Sequence, residues 1–288
     1  MSVHAAGAPA PRAEQAAVAL SMAVVPYPHI PPVIIGWGPF ALRWYALMYV
    51  VGYVLGSRLV LRRIARGLTT LTRAGLDALI GYLVIGMLIG ARITYVVVYG
   101  AGEYRAQPLE ALAIWHGGLS FHGAALGLAL ACALFARRHH VPILDVTDTV
   151  ALCGAPGLFF GRIGNFINGE LNGRPTTVPW AMIFPGDPLH LPRHPSQLYE
   201  AVAEGILLAA TIWLLDRRAR AQGWYRAGLA TGAFLIGYAI LRFLLEFTRQ
   251  PDAQLGLVLG PFSMGQLLSA ATLAAGAAIL VGVYRRQA

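Results

Sequence analysis

The chain has 288 residues, of which 57% are hydrophobic and only 12% charged. Soluble domains are about one quarter charged, so this composition excludes an ordinary soluble globular protein and points to a membrane protein. The net charge of +9 is carried by 22 arginines and no lysine; because these arginines flank long apolar runs and form no solvated basic domain, nucleic acid is not expected as a partner.

Residues 1–40 read as an external N-terminal tail. The stretch AAVALSMAVV (16–25) resembles a signal-peptide core, but Arg12 alone precedes it and Pro26, Pro28, Pro31 and Pro32 follow. A disordered or interfacial tail is expected, not a cleaved signal. A bilayer-spanning helix needs about 20 mostly apolar residues. Seven segments meet that need, at roughly 41–61, 77–99, 119–136, 146–167, 196–215, 227–247 and 263–283. The fourth contains GAPG (154–157), where a kink is expected, tolerable if neighbouring helices satisfy the freed backbone groups. Residues 168–195, rich in Pro and Gly, are long enough for a small head of turns and hairpins. No internal repeat is evident, which weakens a transporter built on inverted halves. The expected fold class is an all-α integral membrane protein with seven transmembrane helices over 41–288 and a small external head at 168–195.

Arginine sets the orientation. Arg58, Arg62, Arg63, Arg66 and Arg73 lie between spans one and two, Arg137 and Arg138 after span three, Arg217, Arg218, Arg220 and Arg226 between spans five and six, and Arg285 and Arg286 at the end. These 13 share one side, the cytoplasmic one by the positive-inside rule. The opposite loops carry only Arg12, Arg105, Arg174, Arg193 and Arg249. The N-terminus is therefore expected outside and the C-terminus in the cytoplasm.

With that topology, polar residues of six spans fall at one level, the outer leaflet: Arg43 and Tyr45, Arg92, His122, then Arg162, Asn165 and Glu170, then Glu200 and Glu204, and finally Tyr238, Arg242 and Glu246. Arg162 and Asn165 share a helix face, and Tyr238, Arg242, Glu246 and Arg249 form one stripe. An arginine at the bilayer centre costs about 2.5–3.5 kcal/mol, so paired groups around a polar cavity are expected. Guanidinium forks at headgroup depth, with Asn and Tyr donors nearby, suit a phosphodiester better than a cation. This chemistry indicates phospholipid handling in the outer leaflet and leaves transferase and flippase both open. Cys132 and Cys153 lie in apolar runs without metal-ligand spacing and read as packing residues.

GRIGNFINGELNGRPT (161–176), RWYALMY (43–49), WHGGLSFHG (115–123), RHPSQLYEA (193–201) and YAILRFLLEFTRQPD (238–252) together resemble the bacterial prolipoprotein diacylglyceryl transferases. The resemblance runs from about residue 36 to the last span, with the family's motifs in order. Asn172 stands where an aromatic residue is expected, and the tail is longer than usual. The resemblance implies transfer of the diacylglyceryl group of phosphatidylglycerol to the lipobox cysteine thiol of a prolipoprotein signal peptide in the bacterial inner membrane. A thioether forms and glycerol 1-phosphate leaves; no metal or organic cofactor is implied. It also implies that Arg162 and Arg242 take the phosphate, with Asn165, Tyr45 and Tyr238 as hydrogen-bond partners and His122 as the base. Glu170 and Glu246 would orient the arginines, Gly173 would allow close backbone approach, and Arg249 and His194 would complete the substrate-binding set.

Each assignment has a plainer alternative. Arg162 could be helix glue paired to a glutamate, and Tyr238, Arg242 and Glu246 could satisfy one another. His122 could donate to backbone at a helix start, and Arg43 with Tyr45 could be an interfacial pair. Ser120 and His122 are two residues apart and do not face each other as a protease pair would. Asp145 and Asp148 lie at the inner end of span four, away from the polar level, and a scramblase would need polar groups through the inner half.

Overall fold

The computed structural model describes residues 24–37, 40–99, 104, 107–113, 117–250, 257–260 and 262–285. Seven long helices account for most of them: α1 (Trp44–Ala65), α2 (Arg73–Thr94), α3 (Phe121–His139), α4 (Ile143–Asn168), α5 (Ser196–Ala221), α6 (Leu229–Leu245) and α7 (Met264–Arg285). Three short antiparallel ribbons accompany them: β1 (Val33–Trp37) with β2 (Phe40–Arg43), β3 (Met182–Ile183) with β4 (Pro192–Arg193), and β5 (Leu257–Leu259) with β6 (Phe262–Ser263). Among the described residues five helices are long and apolar enough to cross a membrane: α1, α2 with its π-helical extension to Val98, α4, α5 and α7. The apolar α6 is shorter, with 17 residues, and α3, with 19, ends in Arg137, Arg138 and His139. The protein is thus a mostly helical, multi-pass membrane protein.

Local chemistry fixes the helix ends. Thr72 caps α2 by accepting from Gly75 N at 3.0 Å, and Ser120 caps α3 by accepting from Gly123 N at 3.3 Å. Ser120 therefore has a structural use. Ser263 and Gln266 form a reciprocal capping box on α7, with Ser263 N donating to Gln266 Oε1 at 3.1 Å and Gln266 N to Ser263 Oγ at 3.3 Å. Pro156 sits inside α4, which continues unbroken. Proline has no N–H to give the carbonyl four residues back. That carbonyl, Leu152 O, instead accepts from the indole Nε1 of Trp213 at 2.8 Å.

The chain forms two compact units, and the ranges of α1, α4, α5, α6 and α7 are divided between them. Unit 2 comprises 54–154, 212–233 and 278–288. In it α2 and α3 meet on small-residue faces: a Cβ at Gly90 would collide with Gly123 O, and one at Gly127 with Gly86 O. Ile85, Ile89, Ile93 and Val97, four apart, are exposed along α2, as a lipid-facing stripe requires. Buried Arg92 is enclosed by main-chain carbonyls of one loop, those of Glu110, Ala111, Ala113, Gly117 and Gly118, at 2.5–3.4 Å. Asp145 accepts from Thr69 and Thr70, and Asp148 from Tyr225, Gly228 and Thr231; both carboxylates tie loops to α4.

Unit 1 comprises 1–53, 155–211 and 234–277. Residues 1–23 of the expected tail lie outside the described residues. Of the expected disordered or interfacial tail, residues 24–37 depart from disorder, because Tyr27 is buried between Phe166 and Phe184. Its hydroxyl donates to Phe166 O at 2.5 Å and lies 3.1 Å from Ile167 O, adding a donor at the end of α4, where Phe166 O also accepts from Gly169 N at 2.9 Å. The Pro- and Gly-rich segment after α4 folds around β3 and β4. Asp187 there holds Arg193 through two hydrogen bonds of 2.7 and 2.9 Å. Burial pushes the Asp187 carboxyl up, but Arg193 and the amides of Leu191 and Leu189 outweigh it and hold the group below the usual carboxylate range.

Candidate functional site

Unit 1 gathers six charged side chains from three helices and the turn after α6. From α4, Arg162 Nε lies 2.8 Å from Glu200 Oε2 and a terminal nitrogen 3.5 Å from Glu204 Oε2. From α6, Arg242 lies 2.8 Å from Glu246 Oε2 and 3.7 Å from Glu200 Oε1. Arg249 donates to that same Glu200 oxygen at 3.1 Å. Glu200 and Glu204 are 1% and 0% exposed, so three guanidinium groups converge on one carboxylate with almost no water. Glu246 is held in turn by Ser263 Oγ, which donates to its Oε1 at 2.7 Å.

Several of these contacts are ion pairs without aligned hydrogen bonds. Glu200 Oε2, Glu204 Oε1, Glu246 Oε2 and Arg242 Nη1 are all buried with no hydrogen-bond partner among the described residues. Native interiors leave few such atoms. Of these atoms only Arg242 Nη1 is a donor, so it is the one that an anionic ligand can use; the three carboxylate oxygens are acceptors.

The backbone explains how α5 presents its two carboxylates. Residues Ala201–Leu207 are π-helical, beginning directly after Glu200 and containing Glu204. Such widened turns recur at functional sites. Gly205 lies in this segment against α4, where a Cβ would come within 2.6 Å of Phe159 backbone atoms. Tyr238 stacks on Phe234, with ring centroids 5.9 Å apart, and interacts electrostatically with Glu204, Arg162 and Arg242.

A second polar group lies at the end of α4. Asn165 Nδ2 donates to Glu170 Oε1 at 2.9 Å and Asn168 Nδ2 to the same oxygen at 3.3 Å. The Tyr45 ring lies against Gly164, where a Cβ would come within 2.7 Å of it, and its hydroxyl is 3.0 Å from that of Tyr49. Beyond α4, Gly173 N donates to His194 O at 2.9 Å, and a Cβ at Gly173 would come within 2.5 Å of Thr248 O. His194 Nδ1 is 3.1 Å from the Tyr199 hydroxyl, which accepts from Trp180 Nε1 at 2.6 Å. Burial lowers the His194 pKa, so the ring stays neutral near pH 7. Among the described residues no group of three or more His, Cys, Asp or Glu is placed to hold a metal ion.

A model of the family described as prolipoprotein diacylglyceryl transferase matches residues 32–282. The chain belongs to this family. The phosphatidylglycerol–prolipoprotein diacylglyceryl transferase of Methylocella silvestris is 45% identical over 270 residues, which are 92% of this chain and 98% of the relative. The enzyme of that name from Bordetella bronchiseptica is 47% identical over 260 residues, 90% of this chain and 97% of its own. The one from Azospirillum brasilense is 44% identical over 270 residues, 93% and 99% respectively.

In this member of the family, the structure brings Arg162, Arg242, Arg249, Tyr238 and Glu246 together, and sets Tyr45, Asn165 and Glu170 at the end of α4. Glu170 departs from its expected use: it accepts from Asn165 and Asn168, and the carboxylates paired with the arginines are Glu200, Glu204 and Glu246. The space at Gly173 is filled by the protein's own backbone at Thr248 and His194, which accounts for the glycine without a substrate. Arg43 is exposed at the end of β2. Arg92 belongs to unit 2 and its loop carbonyls, not to the arginine cluster. His122 stands in the first turn of α3, also in unit 2, and its side chain lies outside the described residues. Glu200 and Glu204 fall at the polar level expected from the sequence but have no expected role there, and Ser263 and Gln266 are not among the expected site residues. The Glu-x-x-x-Glu spacing and the Ser-x-x-Gln box were the available signals.

Proposed function

We propose that the chain transfers the diacylglyceryl group of phosphatidylglycerol to the thiol of the lipobox cysteine of a prolipoprotein. A thioether forms and glycerol 1-phosphate is released. The observation that carries this reading is the convergence of Arg162, Arg242 and Arg249 in a buried cluster where Arg242 Nη1 is a donor with no hydrogen-bond partner among the described residues, within a chain of this family. Breaking the carbon–oxygen bond leaves a phosphate monoester whose growing charge needs fixed cations, and planar guanidinium forks match phosphate oxygens. Arg162 and Arg242 take the phosphate, with Arg249 beside them and Tyr238, Tyr45 and Asn165 as further donors. Glu246 orients Arg242, and Glu170 orients Asn165. A thiol of pKa about 8.5 is mostly protonated at neutral pH, and His122 is the proposed base. His194 belongs to the substrate-binding set, and Gly173 lets the backbone at Thr248 and His194 close in beside it.

The enzyme is placed in the bacterial inner membrane with seven spans, α3 and α6 included, the N-terminal tail (1–40) and the head (168–195) outside and the C-terminus in the cytoplasm. Support comes from the arginines: 13 flank the spans on the side that this orientation makes cytoplasmic, against five in the opposite loops. The test of function is incubation of purified protein with phosphatidylglycerol and a lipobox peptide. A product heavier by one diacylglyceryl group on the cysteine is expected, and a peptide left unmodified while the protein remains folded would overturn the reading.

A further inference from the structure

Arg162, Arg242 and Arg249 with Glu200, Glu204 and Glu246 form one ion-paired set of three positive and three negative charges. A phosphodiester entering it adds a fourth negative charge where the carboxylates are at most 5% exposed. A buried charge without compensation is costly, and an ionisable group there resolves the cost by taking a proton. The three carboxylates are not equally supported. Glu200 meets three guanidinium groups, and Glu246 has Arg242 at 2.8 Å and the Ser263 hydroxyl at 2.7 Å. Glu204 has one ion pair, the 3.5 Å contact with Arg162, and its fully buried Oε1 has no hydrogen-bond partner among the described residues. The charged and titratable groups that face it are Arg162 of α4, Glu200 of its own helix, and Tyr238 and Arg242 of α6. A phosphate that engages Arg162 draws away the one cation paired with Glu204 among the described residues.

We infer that Glu204 takes up one proton as the lipid phosphate enters, so that the empty and the loaded cluster are both electrically neutral. This rests on the reading that these arginines hold the phosphate. The cycle balances. One proton enters with the phosphodiester anion, and the carbon–sulfur bond forms as the carbon–oxygen bond breaks. The thiol's proton goes to the proposed base His122 and from it to water, and the monoester departs singly charged with the carboxyl proton of Glu204.

The test omits the peptide, so that nothing turns over. Phosphatidylglycerol is added to the purified protein in weakly buffered detergent solution, and proton uptake is read with an indicator dye over about two pH units around neutrality. Wild type should take up close to one proton per lipid bound, with affinity falling by up to about tenfold per pH unit on the alkaline side. Glu204→Gln should bind without uptake and with affinity independent of pH. Infrared difference spectra should show a protonated-carboxyl band appearing with lipid in wild type and absent in Glu204→Gln. If that variant does not fold, Glu204→Asp should shift the band, and an unshifted band overturns the assignment. Lipid binding without proton uptake overturns the inference alone. Failure of phosphatidylglycerol to bind the wild-type protein overturns the phosphate reading beneath it as well.

Discussion

Replacing Glu200 with glutamine keeps the side chain's volume and removes the charge on which three arginines converge. Glu200 is 1% exposed and lies 2.8 Å from Arg162, 3.1 Å from Arg249 and 3.7 Å from Arg242. Arg162 retains Glu204 at 3.5 Å and Arg242 retains Glu246 at 2.8 Å, but Arg249 has no other carboxylate among the described ion pairs. Removing one partner of a buried ion pair costs about 3–5 kcal/mol. Two of the three arginines keep a second carboxylate, so the low end, about 3 kcal/mol, applies. With a shift of about 2–4 °C per kcal/mol for a chain of this size, melting in detergent should fall by roughly 6–12 °C. The cluster also moves from neutral to a net charge of +1, so phosphatidylglycerol should bind at least as tightly while turnover drops. Affinity and turnover part company because the arginines keep their charge and lose their common anchor. Melting temperature, lipid affinity and turnover, measured on one preparation, check all three expectations. A Glu200→Gln protein with unchanged melting and normal turnover would refute the anchoring argument; weaker lipid binding would refute the charge argument.

Arg162→Lys keeps the charge and loses the planar fork. Its turnover should fall about a hundredfold or more, on the order of 3–4 kcal/mol, and near-normal turnover would reduce Arg162 to a helix-pairing role. Gly90→Ala places a methyl group against Gly123 O and should lower stability by about 1–3 kcal/mol through separation of α2 and α3; an unchanged melting temperature would contradict that packing. Asp187, held below the usual carboxylate pKa of about 3.9, stabilises the fold fully above that value, and its contribution is lost as pH falls through the depressed value. Melting of Asp187→Asn should therefore be lower at neutral pH and vary less than wild type below about pH 4; a wild-type acid slope in the variant would show that other groups govern it.

The seven apolar runs were legible because hydrophobicity over about 20 residues is a local property. Expected spans 146–167 and 263–283 became Ile143–Asn168 and Met264–Arg285, moved only by a few residues through caps and turns. The need for a neighbour to repair the backbone at Pro156 was legible too, but not that the neighbour would be Trp213. Pairing was the harder part. Spacing put Arg242 and Glu246 on one stripe, and they do meet, since i and i+4 adjoin on a helix. Arg162 meets Glu200 and Glu204 across more than 35 residues of chain, at a π-helical stretch with no local signature. The family resemblance implied an arginine for Glu170, whereas its carboxylate accepts from the amides of Asn165 and Asn168. The glycines of α2 and α3 were visible as pairs four apart, at 86 and 90 and at 123 and 127, and only the fold shows that they face one another.

The ion pairs also bear on how the chain is made. Arg242 and Glu246 are four residues apart and neutralise each other, so α6 can leave the translocation channel already compensated. Arg162 has no such companion within α4; its carboxylates are on α5, which the ribosome supplies about 40 residues later. During that interval the emerging helix has an unmatched guanidinium at its end. Entry of α4 into lipid is then bound to the arrival of α5, and the two helices are expected to insert as a pair. A nascent chain arrested before Glu200 should hold α4 beside the channel, accessible to a crosslinker there, and extension past Glu204 should release it.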